Sequence, residues 1–140
     1  MKGGQGNNTQ HGGGGNDTLD GGTNGNAAPW GDIFESGTGA DTFPFCIGDG
    51  APGGTIDVVN SFDLIFDALQ FSTGGNADYL GMSGGVTGNA RPELWYEHTT
   101  LNGFGNVTIV HVRDGEGLNR DFDVARCSHI ALTEDDMIFG

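Results

Sequence analysis

Positive charge is scarce in this chain. Its 140 residues include only five Lys and Arg against 19 Asp and Glu, which gives a formal net charge of −14. Binding to nucleic acids and to anionic membranes depends on Lys and Arg, so this balance argues against both partners. Because a strongly acidic chain repels itself without counter-ions, the composition favours a cation as partner.

Long hydrophobic runs are also missing. The apolar content is 35%, and no apolar run reaches the length of about 18 residues that a transmembrane helix needs. No N-terminal signal peptide is visible, since Met1 and Lys2 lead directly into glycine repeats. The two cysteines, Cys46 and Cys127, leave two alternatives open: one disulfide in an oxidising compartment, or two buried thiols.

Catalytic motifs are lacking as well. None of the four histidines belongs to an H-E-x-x-H zinc motif. The segment Gly81–Gly85 (G-M-S-G-G) matches G-x-S-x-G, but a nucleophile elbow needs a strand, a helix and Asp and His partners in a longer α/β-hydrolase. A glycine-rich loop explains the match, and the sequence predicts a protein that is not itself an enzyme.

Glycine, in contrast, is abundant, with 28 residues, and much of it belongs to a nine-residue repeat. Gly12–Asp20 is a full copy of G-G-x-G-x-D-x-U-x, where U is a large apolar residue; this is the calcium-binding unit of RTX proteins. Its glycines allow positive φ and leave carbonyl oxygens facing a cation. The Asp supplies a hard anionic oxygen, which calcium prefers, and the U residue points inward.

Degenerate copies flank the complete one. Gly3–His11 carries Asn8 in place of the Asp and Gln10 in place of the apolar residue, whereas Ser36–Pro44 keeps its Asp and its apolar residue. The segment Gly21–Glu35 is longer than one copy and shorter than two full copies. We therefore expect two copies there, with three residues missing near Asn24 to Trp30.

The remaining sequence predicts an all-β body. Alternating β-branched and aromatic residues mark strands within the ranges Thr55–Phe71, Glu93–Thr99, Asn106–Arg113 and Arg120–Cys127. Glycine-rich turns at 74–75, 84–85, 102–103 and 115–117 separate them, as in sandwiches and barrels. Thr133, followed by three acidic residues, predicts the N-cap of one helical turn.

Several segments together resemble one family. Gly39–Phe45 (G-A-D-T-F-P-F) looks like the end of an RTX β-roll, and Asp57–Phe62 with Asp67–Ser72 is similar to the segment that follows it in serralysin-type secreted proteases. Related modules occur in lipases, mannuronan epimerases and other substrates of type I secretion. The resemblance implies a right-handed parallel β-roll over residues 1–45 and a β-sandwich-like cap over 46–140, in one continuous domain.

The family also implies where calcium is bound, between successive loops. Asp17, Asp32 and Asp41 are expected to supply charged ligands, and Asn8 and Asn26 neutral ones of lower affinity. Carbonyl ligands are expected from the loop glycines Gly13, Gly15, Gly22, Gly37 and Gly39. A second acidic segment with Asp114, Glu116 and Asp121 resembles a calcium-binding turn, although a solvated hairpin turn is the favoured explanation of this segment.

Two functions fit these features. The first is a non-catalytic module that folds on calcium after type I secretion, outside a bacterial cell, and that serves the N-terminal catalytic domain of a parent protein. The second is a polysaccharide-binding repeat module of an extracellular carbohydrate-modifying enzyme. Its candidate contacts to an acidic sugar chain are Trp95, Arg91, Arg113, Arg120 and Arg126.

Overall fold

The computed structural model describes residues 1–23, 30–46, 56–72, 78–82, 93–113, 122–127 and 131–139. These ranges form strands and one short 3-10 helix. The strands are β1 (Lys2–Gln5), β2 (Thr9–Gly14), β3 (Asp20–Thr23), β4 (Trp30–Thr38), β5 (Thr42–Cys46), β6 (Ile56–Asn60), β7 (Ala68–Ser72), β8 (Asp78–Met82), β9 (Glu93–Leu101), β10 (Gly105–Arg113), β11 (Phe122–Cys127) and β12 (Met137–Phe139); the 3-10 helix is Glu134–Asp136.

The strands make two walls. One wall contains the parallel pair β1–β3 and the parallel sheet β5–β7–β12, which a parallel bridge between Thr18 and Thr42 connects. The other is a seven-stranded sheet in the order β2–β4–β6–β11–β10–β9–β8. From β1 to β7 the chain alternates between the walls, so each pair of strands is one coil. The predicted all-β fold with a parallel β-roll is confirmed.

The register of the coils corrects one expectation. Lys2 pairs with Asp20, which is the separation that two nine-residue units require. Gly13 pairs with Gly37 and Gln10 with Phe34, a wider separation than two such units provide. The expectation of two copies lacking three residues is therefore wrong: Gly21–Thr23 and Trp30–Glu35 act as one repeat, and residues 24–29 are additional to it. Counting along the sequence could not show this, because either number of copies leaves a remainder.

The core is a narrow stack of the inward-facing residues of the repeats. Phe34 and Val59 follow Gln10 along one wall, and Phe43 and Leu69 follow Leu19 along the other. Phe34 makes edge-on contacts to Phe43 and Phe45 across the two walls, with ring centroids 5.8 and 5.9 Å apart. All of these apolar side chains are buried, and their removal from water stabilises the roll.

The second half continues the same two walls. Strands β9, β10 and β11 lie where the sequence predicts strands, and β11 pairs in parallel with β6 of the roll. The predicted helical turn is the 3-10 helix, and at its start Asp136 Oδ2 accepts hydrogen bonds from the Thr133 backbone nitrogen at 2.7 Å and from the Thr133 hydroxyl at 3.0 Å. This is the half of a capping box that the acidic residue supplies. Strand β8 was not predicted. Leu94, Tyr96 and Val110 of this half join the core of the roll.

Some expectations fall outside the described residues. The turns at 74–75, 84–85 and 115–117 lie there, whereas Gly103 forms the predicted turn with a positive φ of 94°. Cys46 and Cys127 lie in β5 and β11, and their side chains are not among those described. Within the described part of the chain, no helix has the length and apolar character to cross a membrane.

Candidate functional site

An acidic ladder runs along one edge of the roll, where the chain turns into the seven-stranded wall. The Asp32 Oδ1 atom accepts a hydrogen bond from the Asn8 backbone nitrogen at 2.6 Å. In the next coil, Asp57 Oδ1 accepts from the Asp32 backbone nitrogen at 2.7 Å. Each side chain therefore ties its own coil to the one before it.

A second ladder runs along the opposite edge. Here Asp41 Oδ1 accepts from the Asp17 backbone nitrogen at 2.8 Å, and Asp67 Oδ1 accepts from the Asp41 backbone nitrogen at 2.9 Å. The two ladders have the same geometry because the same repeat position supplies both. The structure thus brings together Asp17 with Asp41, and Asn8 with Asp32, among the residues that the sequence singles out.

The second oxygen of each ladder carboxylate, Oδ2, takes no part in these hydrogen bonds between coils. Asp17 Oδ2, Asp32 Oδ2 and Asp41 Oδ2 are buried, and no hydrogen-bond donor among the described residues reaches them. Asp67 differs, since its Oδ2 accepts a hydrogen bond from the Asp63 backbone nitrogen at 2.9 Å. An unpartnered buried carboxylate oxygen is costly, and a cation at this position removes that cost.

Burial also changes the acid strength of ladder residues. Burial raises the pKa of Asp32 above the ordinary value of 3.8, although the hydrogen bonds from Asn8 act in the opposite direction and lower this pKa. The negative charge of Asp20 raises the same pKa further. Burial likewise raises the pKa of Asp67, while hydrogen bonds from Asp63 and Asp41 lower it. A low-polarity site disfavours the charged form unless a positive charge is close.

The loop glycines allow the coils to approach closely. Gly37 and Gly39 have φ values of 97° and 134°, which side-chain-bearing residues rarely adopt. A Cβ atom at either position would collide with the carbonyl of the equivalent glycine in the coil before, Gly13 and Gly15. The carbonyls therefore stack at the coil edges. The remaining glycine of the predicted set, Gly22, has a φ of 87° and the same close contact, with the Gly4 carbonyl.

These edges do not form a conventional metal cluster. In the described ranges, no three His, Cys, Asp or Glu side chains converge as metal ligands would. A cation between coils would instead be held by one or two carboxylates and by stacked backbone carbonyls, which suits calcium, a hard ion with six to eight oxygen ligands. The donor set at Asp17, Asp32 and Asp41 fits such an ion.

Other predicted ligands are not placed. Asn26, Asp114, Glu116 and Asp121 lie outside the described residues, and they remain predictions. Conversely, the sequence did not single out Asp57 and Asp67 as ladder members. Their D-x-U spacing, with Val59 and Leu69 at the inward position, was the available signal, but it lacks the glycines of the repeat.

Two of the candidate sugar contacts, Trp95 and Arg113, lie on the outer face of the seven-stranded wall. Trp95 stacks on His111, with ring centroids 5.0 Å apart at 21°, and the Arg113 Cζ atom lies 5.0 Å from the Trp95 ring centroid. His111 Nε2 also lies 3.1 Å from Glu97 Oε1. Trp95 is only 8% exposed, because His111 and Arg113 lie against its ring, so the ring offers a sugar little surface for stacking.

The other arginines proposed for sugar binding are not described at this level. Arg91 and Arg120 lie outside the described residues, and Arg126 lies in β11 without a described side chain.

Known structures share this fold. The solution structure of the AlgE6R2 subunit of a mannuronan C5-epimerase from Azotobacter vinelandii matches with a TM-score of 0.61 and 25% identity, over 99% of this chain and 88% of that one. The AlgE6R3 subunit of the same enzyme matches with a TM-score of 0.56 and 22% identity, over 97% and 79%. No model of a protein family matches the sequence. No curated protein matches it either.

Proposed function

We propose that this chain is a non-catalytic calcium-binding β-roll module that contacts an acidic polysaccharide on behalf of an extracellular carbohydrate-modifying enzyme. The observation that carries the calcium part is the set of buried carboxylate oxygens without donors at Asp17, Asp32 and Asp41. The polysaccharide part rests on the likeness, over almost the whole chain, to a subunit of a mannuronan C5-epimerase.

Calcium supplies the charge balance that the chain lacks. Each bound ion would neutralise part of the net charge of −14. It would also bind one of the buried carboxylate oxygens that lack a hydrogen-bond donor among the described residues. Because such a site does not exist in the unfolded chain, the free energy of binding is also free energy of folding. Affinities of about 10⁻⁴–10⁻³ M, typical of extracellular modules, would leave the sites empty and the fold much less stable where calcium is scarce.

Circular dichroism and thermal unfolding test this part. We expect a larger β signal and a higher melting temperature in millimolar calcium than in chelator. Magnesium at the same concentration is the matched control, since it prefers a smaller octahedral site and dehydrates reluctantly. A chelated sample that keeps its full β signal and its melting temperature contradicts the proposal.

The acidic sugar chain is the class of ligand favoured by the comparison. An anionic protein binds an anionic polymer poorly unless cations lie between them, and calcium bound at the coil edges can bridge carboxylates of both. Arg113 adds positive charge beside Trp95 and His111 on the outer face. Arg113 Nη1 donates a hydrogen bond to the Val112 carbonyl at 3.0 Å, which holds this guanidinium, a group suited to carboxylates, against the strand.

Calorimetric titration with mannuronan oligomers tests the ligand. We expect binding in calcium, none in chelator, and weaker binding for Arg113→Gln than for the wild-type chain. Lys2→Gln is the matched control, because it removes one positive charge at the far edge of the roll, where Lys2 pairs with Asp20 at 3.3 Å. Absence of heat at millimolar oligomer in calcium removes the polysaccharide function and leaves the calcium-dependent module.

In that event, we favour a folding and secretion module. A calcium-free acidic chain stays extended through self-repulsion and can pass a type I secretion channel before it folds outside the cell. Its partners would then be the secretion machinery and the N-terminal catalytic domain of a parent protein. Slower export of a passenger whose module carries Asp41→Asn and Asp32→Asn, while oligomer binding stays absent, would support this second function.

A further inference from the structure

The turn between β6 and β7 is held together by its own hydrogen bonds. Asp67 Oδ2 accepts from the Asp63 backbone nitrogen at 2.9 Å, and the Asp67 backbone nitrogen donates to the Asp63 carbonyl at 2.8 Å. Asp63 Oδ1 accepts from the Ile65 backbone nitrogen, also at 2.8 Å. The Phe66 backbone nitrogen donates to the Asp63 carbonyl at 3.2 Å. These local contacts fix the turn without a ligand.

Asp67 has the same place in the second ladder as Asp41 has one coil earlier. Asp41 Oδ1 accepts from the Asp17 backbone nitrogen, and Asp67 Oδ1 accepts from the Asp41 backbone nitrogen. The two Oδ2 atoms differ, because Asp41 Oδ2 is buried without a donor among the described residues, whereas Asp67 Oδ2 is bound by the backbone nitrogen of Asp63. Equivalent carboxylates therefore have different partners at the same edge of the roll.

The glycine repeats bring no such donor to their carboxylates. A Cβ atom at Gly12 would lie 3.2 Å from Asp17 Oδ2. A Cβ atom at Gly21 would collide with Asp32 Oδ2. Both oxygens therefore face a glycine of their own repeat, which has no side chain that could donate. A buried carboxylate in such surroundings gains from a hard cation, whereas a carboxylate with a backbone N–H on each oxygen is already stabilised.

We infer that the turn Asp63–Asp67 is a calcium-independent end of the second ladder, an inference that rests on the proposed function. The Asp63 N–H takes at Asp67 the place that a calcium ion takes at Asp41, so Asp67 holds no ion. Coils whose carboxylates lack a donor at Oδ2 then gain stability from calcium, while the turn into β7 keeps its stability without it. Removal of calcium should therefore loosen the roll from its first coils and leave this turn closed.

Amide hydrogen exchange of the wild-type chain, followed residue by residue by NMR, tests this inference without a substitution. The amides of Asn8 and Asp17 donate to ladder carboxylates that are expected to bind ions. With calcium at ten times the dissociation constant, these amides should exchange roughly tenfold more slowly than in chelator, because their opening must release an ion. The Asp63 amide should be protected to the same extent in calcium and in chelator, since its opening releases none.

Asp41→Asn and Asp67→Asn are a matched pair of variants, because each replaces one carboxylate at the same ladder position by an amide. Calorimetric titration to saturating calcium counts the bound ions. Asp41→Asn should bind one ion fewer than the wild-type chain, and Asp67→Asn should bind the same number. Asp67→Asn should also have a lower melting temperature than the wild-type chain in chelator, since one amide oxygen cannot replace two carboxylate oxygens as acceptors of separate N–H groups.

The outcomes separate this inference from the proposed function. If the Asp63 amide exchanges faster in calcium than in chelator, an ion has displaced it from Asp67, and the inference is overturned while the calcium-binding module stands. Loss of an ion in Asp67→Asn at saturating calcium has the same meaning. A wild-type chain that binds no calcium overturns the proposed function and this inference together. Loss of an ion in Asp41→Asn alone, with equal protection of the Asp63 amide in both conditions, supports the inference.

Discussion

Asp17 and Asp41 are joined across two coils by a hydrogen bond of 2.8 Å from the backbone nitrogen of the first to Oδ1 of the second. The same Asp41 carboxylate keeps its Oδ2 buried and without a donor among the described residues. One oxygen therefore fixes the register of the coils, and the other remains available for a ligand. This division of roles lets the ladders be tested by substitutions that retain the first contact and change the second.

Asp41→Asn separates these two roles. The amide keeps an oxygen for the hydrogen bond but loses the charge, so we expect little change in chelator and a clear loss of stability in calcium. The loss should be about 1.4–2.7 kcal/mol when calcium is at 10 to 100 times the dissociation constant of the lost site. Urea unfolding with and without calcium measures it. Asp135→Asn, which removes an exposed carboxylate of the 3-10 helix, should show no calcium-dependent difference.

The pH dependence of stability should reverse sign with calcium. The raised pKa values of Asp32 and Asp67 mean that the folded chain retains protons that the unfolded chain has lost. Without calcium, this contribution is therefore fully present below pH 3.8, the ordinary pKa, and is lost as the pH rises through the raised folded values. In calcium, protonation of Asp32 competes with the ion, so acid should destabilise the fold.

Unfolding midpoints from pH 7 to pH 4 check this reversal. High salt is the control for general charge repulsion, since it screens exposed charges and affects buried carboxylates much less. A trend in calcium-free buffer that disappears in salt would trace the effect to the net charge of −14 and not to the two buried groups.

Substituting a glycine at which two coils touch should destabilise the fold more than substituting a glycine that only has a positive φ. Gly37→Ala combines a positive φ with a collision against the Gly13 carbonyl, and we expect it to cost about 3 kcal/mol. Gly103→Ala has a similar φ of 94° but nothing within 4 Å of the added Cβ, so it should cost about 1 kcal/mol. Thermal unfolding in calcium measures both, and equal losses would contradict the close stacking of the coils.

Phe34 should dominate the stability of the thin core. It is fully buried between Phe43 and Phe45, so Phe34→Ala should cost about 3–5 kcal/mol. Phe66 is 59% exposed, and Phe66→Ala should change the free energy of unfolding by less than about 0.5 kcal/mol. If denaturant unfolding found similar values for the two, the assignment of the inward positions would be wrong.

The repeat made part of the site predictable, because one nine-residue unit fixes the positions of the Asp and of the inward residue, whereas Asp57 and Asp67 lie outside its glycine pattern. Gly12–Asp20 was sufficient to place Asp17 and Leu19, and the later strands β9 to β11 followed from their alternation. The number of units between Gly21 and Glu35 was not predictable, since it depends on which coil lies opposite which. Strand β8 pairs in parallel with β9, a long-range contact that its short segment does not encode locally.

The contact that Gln10 makes could not be predicted for a different reason. In the sequence Gln10 is a departure of the first copy from the repeat, a polar residue at an apolar position. Its hydrogen bond to the Asp20 carbonyl forms only when the chain has coiled and the two walls face each other.

The additional residues between Thr23 and Trp30 show that coils built from stretches of chain of different length can stack on each other. Strand β3 pairs regularly with β1, and β4 pairs regularly with β2. The stretch of chain between paired residues is nevertheless longer for β2 and β4 than for β1 and β3. Position in the stack is therefore set by contact with the neighbouring coil and not by distance along the chain. Coils of unequal length can therefore stack in one roll, so an insertion between two strands need not shift the hydrogen bonds of the coils on either side of it.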